Sequence, residues 1–141
     1  MYELKVVRER RPGYLPARQV RSSRDLFEAF KTHFDRLDRE EFIVVLVDGK
    51  GRTMGFNVAS VGTLTASLVH PREVFKPAII GNAASVFLIH NHPSGDPEPS
   101  PEDLALTRRL KEAGDLLGIR VIDHIVVGDG SYRSFTDDGA L

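Results

Sequence analysis

Two apolar patterns alternate along the chain. Continuous strand-length runs, rich in Val and Ile, occupy residues 42–47, 85–89 and 119–127 and read as strands. Between them apolar residues recur at helical spacing: Leu26, Phe27, Phe30, Phe34 and Leu37 in one segment, Leu104, Leu106, Leu110, Leu116 and Leu117 in another. Ser22 or Ser23 is placed to cap the first of these helices. The second is bracketed by Pro101 at its start and Gly118 at its stop. Asp48-Gly49-Lys50-Gly51 reads as a hairpin turn that returns the 42–47 strand as a partner over 53–60. Residues 62–69 leave strand and loop both open. His70-Pro71 opens a helix with proline at its first position, in which Pro77 either produces a kink or marks a later start. Gly128-Asp129-Gly130 turns into a short last strand over 132–135. Before the first helix, residues 3–8 alternate weakly as an edge strand, and Pro12, Gly13 and Pro16 make residues 10–19 a linker. Hairpins mixed with helices predict an α+β fold: a mixed β-sheet flanked by helices, in an α/β/α sandwich.

Composition narrows the chemistry. The chain has 141 residues, 41% hydrophobic and 28% charged, which suits one soluble globular domain with a real core. No apolar run is long enough to span a bilayer, and the charged N-terminus lacks the apolar stretch of a secretory signal, so a cytoplasmic location is expected. There is no cysteine, which removes disulfides, thiolate zinc sites, iron–sulfur clusters and a cysteine nucleophile at once. Any transition metal must be held by carboxylates and the five histidines. The net charge of −1 argues against wholesale nucleic-acid binding. Yet Lys5, Arg8, Arg10, Arg11, Arg18, Arg21 and Arg24 make the start of the chain basic against Glu3 and Glu9. We therefore divide the chain into a basic arm over 1–20 and a domain over 21–141. The arm is either a solvated extension or a contact for an acidic partner or a phosphate backbone.

The chemistry-bearing residues cluster at the end of the 85–89 strand. His90 and His92, two apart, project from one face of an extended chain. Ser100 and Asp103 follow across a loop stiffened by Pro93, Pro97, Pro99 and Pro101. Two imidazoles and a carboxylate leave one position of a tetrahedral zinc open, the arrangement of a catalytic site rather than a structural one. Asp103 has a second reading, as the third residue of a capping box with Ser100 as N-cap, and one carboxylate can serve both purposes. Asp96 and Glu98, between prolines, are expected at the surface. A metal-dependent hydrolase needs a general base, and Glu40 and Glu41, just before the 42–47 strand, are the carboxylates in question. Ser100 is a candidate donor to an oxyanion. His124, within a strand, is expected to be a core histidine with its hydrogen bonds satisfied, or else a support to the ligands. His70 is expected in a loop near the pocket, and His33 has no assigned role.

The string His90-Asn-His-Pro-Ser-Gly95, with Pro99-Ser100 and Asp103, resembles the RadC family of the JAB/MPN superfamily. The superfamily's JAMM signature, His-x-His, seven residues, Ser, two residues, Asp, is met here without a gap. The strings His70-Pro-Arg-Glu-Val-Phe75 and Asp123-His-Ile-Val-Val-Gly128 are also RadC-like, and the similarity runs from about Ser22 to the C-terminus. It implies a zinc metallopeptidase-like, cytidine-deaminase-like fold in which His90, His92 and Asp103 ligate one zinc ion and Ser100 assists the oxyanion. In RadC-like sequences the acid stands two residues before the Phe of the first strand, which is Glu40; in other JAMM enzymes it stands directly before, which is Glu41. The expected substrate is a peptide or isopeptide bond. The alternative is a non-catalytic binding module in DNA repair or mobile-element maintenance, working through the basic arm. The helix-hairpin-helix-like region that many members of the family carry, the module that would justify DNA binding, is not recognisable in this arm.

Overall fold

The computed structural model describes residues 1–3, 5, 17–62 and 69–141. The expected edge strand over 3–8 and most of the linker and basic arm lie outside the described residues, as does most of the 62–69 segment. The elements follow the order α1 (Ser23–Phe34), β1 (Glu41–Val47), β2 (Thr53–Val61), α2 (Pro71–Ile80), β3 (Ser85–Asn91), α3 (Pro101–Leu117), β4 (Arg120–Val127) and β5 (Tyr132–Ser134).

The strands form one five-stranded sheet in the order β2-β1-β3-β4-β5. Pairing is antiparallel except between β3 and β4, which are parallel because α3 carries the chain across between them. The hairpin joining β1 to β2 is built by Asp48, whose Oδ1 accepts from the N–H groups of Lys50 at 2.8 Å and Arg52 at 3.0 Å. The sheet is covered on both faces, which is why β1 and β3 read as unbroken apolar runs. On one side Ile43, Val45, Phe87 and Ile89 pack against Leu26, Phe27, Phe30 and Phe34 of α1. On the other, Phe42, Val44, Val86 and Leu88 pack against Phe75 of α2 and Leu106 and Leu110 of α3. Each fully buried Leu, Ile or Phe among these contributes about 1.5–3 kcal/mol, so the two layers together fix the sheet between its helices.

Several boundaries differ from expectation for local reasons. Ser22, not Ser23, caps α1, accepting from the Asp25 N–H at 3.1 Å. The helix ends at Phe34, and Leu37 reaches the same core from the turn that follows. In α2 the proline at 77 neither splits the helix nor delays its start: the element begins at Pro71 and runs through to Ile80. A proline there forgoes one amide donor, and the helix closes just beyond it, where the Gly81 N–H bonds the Pro77 carbonyl at 2.8 Å. In α3, Leu106 and Leu110 are core, whereas Leu104, Leu116 and Leu117 are exposed.

One irregularity bears on the site. Val86 pairs with Val121, but Phe87 pairs with Asp123, so Ile122 is an extra residue in β4. Val121 belongs to the core on the α2–α3 side and Ile122 to the α1 side. Beyond the bulge His124 faces the α2–α3 side again, opposite Leu88.

Candidate metal centre

The site sits where β3 leaves the sheet and α3 begins. His90 pairs with Phe42 of β1 and with Val126 of β4, and it is almost wholly buried. His92 lies just past β3, held by its N–H to the Val127 carbonyl at 2.8 Å. Asp103 stands on the first turn of α3 because Ser100 caps that helix: the Asp103 N–H bonds Ser100 Oγ at 3.1 Å, and the Ser100 N–H bonds Asp103 Oδ2 at 2.8 Å. The capping reading and the ligand reading of Asp103 thus hold together.

Three ligand atoms converge. His90 Nε2 is 3.1 Å from His92 Nε2 and 3.3 Å from Asp103 Oδ1, and His92 Nε2 is 3.2 Å from Asp103 Oδ2. A tetrahedral ion with bonds of about 2.0–2.1 Å holds its donors about 3.3 Å apart, close to these separations. The remaining ring nitrogens point away into the protein. His92 Nδ1 donates to the Asp96 carbonyl at 2.9 Å, and His90 Nδ1 lies 2.8 Å from His124 Nε2. With Nδ1 of each histidine hydrogen-bonded within the protein, both Nε2 atoms face the same small volume as a carboxylate, a donor set that suits a divalent transition metal. Among the described residues this trio forms a metal-competent group.

The electrostatics agree. Burial would raise the Asp103 pKa, but the adjoining imidazoles of His90 and His92 and the Ser100 N–H outweigh it, holding the carboxyl well below its usual range. His92 is raised by its hydrogen bond to Asp103, against an opposing effect of burial, with smaller contributions from the Asp96 carbonyl and the charge of Glu40.

Glu40 directly precedes β1. It stands two residues before Phe42, whose ring stacks on His90 with centroids 5.9 Å apart. Its backbone carbonyl accepts from the Gly62 N–H at 2.8 Å. Glu41 points to the opposite face, where Oε1 meets His33 Nε2 on α1 at 2.9 Å. Glu41 is thereby turned away from the histidines, and His33 has a partner that the sequence did not assign. Ser100 Oγ accepts the Asp103 N–H, which leaves its hydroxyl proton as the one a donor role would use.

The other singled-out residues fall as follows. His124 is fully buried between the rings of Phe42 and Phe135, and burial lowers its pKa well below the ordinary value. His70 caps α2, its Nδ1 accepting from the Arg72 N–H at 3.0 Å, and does not enter the trio. Asp96 and Glu98 are exposed; Glu98 pairs with Arg133 at 3.2 Å.

Two contributors were missed. Asn91, between the two histidines, faces the other side of the sheet. Its Oδ1 accepts from the Glu41 N–H at 2.8 Å and its Nδ2 donates to the Arg39 carbonyl at 3.0 Å, so it grips the backbone on both sides of Glu40. Thr107 Oγ1 donates to the Asp103 carbonyl at 2.7 Å and lies 2.6 Å from His124 Nδ1. The period of two around His90 and the four-residue step from Asp103 to Thr107 were the signals available for finding them.

A model of the RadC-like JAB domain matches residues 20–140. The chain is 53% identical over 120 residues to a UPF0758 protein of Pelobacter propionicus, covering 85% of this chain and 52% of the relative. It is 56% identical over 111 residues to one of Geobacter sulfurreducens, covering 77% and 48%. With one of the archaeon Methanosarcina mazei the identity is 46% over 124 residues, covering 88% and 54%. The chain spans about half the length of these curated relatives.

Proposed function

This chain belongs to the RadC-like JAB domain family, and from that premise we propose that it is a zinc-dependent hydrolase of peptide or isopeptide bonds. The observation that carries the reading is the convergence of His90 Nε2, His92 Nε2 and an Asp103 carboxylate within 3.1–3.3 Å. Zinc held by these three residues would supply Lewis-acid chemistry, polarising the scissile carbonyl and making a water nucleophilic near neutral pH.

The chain's own residues divide the remaining work. Glu40 takes a proton from the attacking water and delivers it to the leaving nitrogen, so one carboxylate acts first as base and then as acid. Ser100 donates its hydroxyl proton to the oxygen that gains charge as the carbonyl becomes tetrahedral. Asn91 holds the Glu40 backbone in place. A DNA-binding module built on the basic arm is the alternative, but it rests mostly on residues outside the described set, and nothing in the site favours it.

The test combines metal content with hydrolysis. Protein purified without chelator and supplied with zinc should hold about one ion per chain and cleave a peptide or lysine-isopeptide library. His92→Ala should lose the metal, whereas Glu40→Gln should keep it and lose activity by about 10²–10⁴-fold, the usual worth of a general base. A Glu40→Gln protein as active as its parent would refute the assigned base, and parent protein that takes up no zinc would refute the metal site.

A further inference from the structure

We infer that His124 and Thr107 are positioning residues that fix the tautomer of His90, so that its Nε2 lone pair is presented to the metal. The inference rests on the reading of His90, His92 and Asp103 as a metal site. It follows from the direction of a buried chain of hydrogen bonds. Thr107 Oγ1 has one proton, and it is donated to the Asp103 carbonyl at 2.7 Å. The 2.6 Å contact between Thr107 Oγ1 and His124 Nδ1 must then be carried by a proton on the imidazole. A neutral imidazole with its proton on Nδ1 offers only a lone pair at Nε2, and this atom lies 2.8 Å from His90 Nδ1. The proton of that bond therefore belongs to His90 Nδ1, which leaves His90 Nε2 bare and aimed at His92 and Asp103.

The chain is closed to solvent. His90, Thr107 and His124 are each no more than 1% exposed, so water cannot substitute for any link. Phe42 lies edge-on to His124 at 5.4 Å and Phe135 stacks on it at 4.7 Å, so the ring is confined from both sides. His124 reaches His90 from β4 because it lies opposite Leu88, on the ligand face of the sheet. The relay begins and ends on ligands: it starts at the backbone carbonyl of Asp103 and finishes at the ring of His90, tying the carboxylate's helix to the strand that carries the imidazole.

Thr107→Val keeps the shape of the side chain and removes the hydroxyl, and Thr107→Ser restores the hydroxyl. Zinc affinity would be measured by competition with a chromophoric chelator, and the His90 tautomer by long-range ¹H–¹⁵N NMR on metal-free protein at pH 8. We expect the parent and Thr107→Ser to carry the His90 proton on Nδ1 and to bind zinc alike. Thr107→Val should bind zinc about 10–100-fold more weakly, the usual cost of losing a partner behind a ligand, with the His90 proton no longer confined to Nδ1. Parent-like zinc affinity in Thr107→Val overturns the inference, and so does a proton on His90 Nε2 in the parent, a measurement that needs no variant to fold. Parent protein that shows the Nδ1 tautomer but takes up no zinc overturns the metal reading, and this inference with it, by a different signature.

Discussion

Replacing Asn91 with alanine separates the two jobs done around His90. The amide is 5% exposed and makes two backbone hydrogen bonds, accepting from the Glu41 N–H at 2.8 Å and donating to the Arg39 carbonyl at 3.0 Å. Removing it leaves both partners unmatched, at about 1–3 kcal/mol for each group that stays buried. Arg39 is exposed, so water recovers its carbonyl, while the Glu41 amide at the start of β1 is only partly accessible. The expected loss is therefore about 2–3 kcal/mol, the upper half of the range for the Glu41 amide alone. Denaturant unfolding of zinc-free protein measures it directly as a shift in midpoint at unchanged slope. The same substitution frees the backbone that carries Glu40 without touching a ligand atom. Zinc stoichiometry should then stay at the parent value while the rate of hydrolysis falls by one to two orders of magnitude, about the penalty for a misplaced catalytic group. Parent-like stability, or loss of zinc in step with loss of rate, would refute the clamp.

Two further outcomes follow from buried groups. His124 is neutral when folded because burial lowers its pKa, whereas in the unfolded chain it titrates near 6.5. The unfolded state thus gains a proton that the folded state refuses. Zinc-free protein should lose stability relative to His124→Phe as the pH falls below about 6.5, by up to about 1.4 kcal/mol per pH unit; urea unfolding at pH 7.5, 6 and 5 tests this, and a difference between the two proteins that does not vary with pH contradicts it. At Gly128, an added Cβ would lie 2.3 Å from the Gly95 carbonyl oxygen and 2.9 Å from the Pro97 nitrogen. Gly128→Ala must displace the loop whose Asp96 carbonyl orients His92, so zinc affinity, read by chelator competition, should fall at least tenfold. Unchanged affinity would show that the loop does not orient His92.

What the sequence revealed was whatever depends on short intervals. The His-x-His pair, the Ser100 cap and Asp103 are fixed by strand and helix periods, and the structure brings them together as the spacing implied. The α/β/α layering was likewise legible, because unbroken apolar strands need cover on both faces. The choice between Glu40 and Glu41 was not legible from composition, since both precede the same strand; the pairing that turns Glu41 to His33 on α1 comes from tertiary contact. Leu116 and Leu117 illustrate the opposite failure, an apolar helix end that reads as core and stands exposed. Thr107 was hidden because a threonine inside a helix ordinarily bonds back to its own backbone, as this one also does, and nothing local announces that a histidine 17 residues later shares its hydroxyl.

The extra residue in β4 has a consequence for tolerance to insertions and deletions. Counted from Val121 by strict alternation, the imidazole at 124 would face α1; Ile122 resets the phase, so the odd interval between the two residues still returns to one face. The position at which α3 stops, fixed by Gly118, is thereby uncoupled from the face to which His124 is delivered. Shortening the strand by removing Ile122 would merely regularise the ladder, leaving Val121 opposite Val86 and His124 opposite Leu88 as they are now. Lengthening it by one residue between Asp123 and His124 would, unless absorbed by a second bulge, turn the imidazole towards α1. Among relatives of this chain, the strand should therefore vary in length only in the direction that costs a bulge, never in the direction that costs the imidazole.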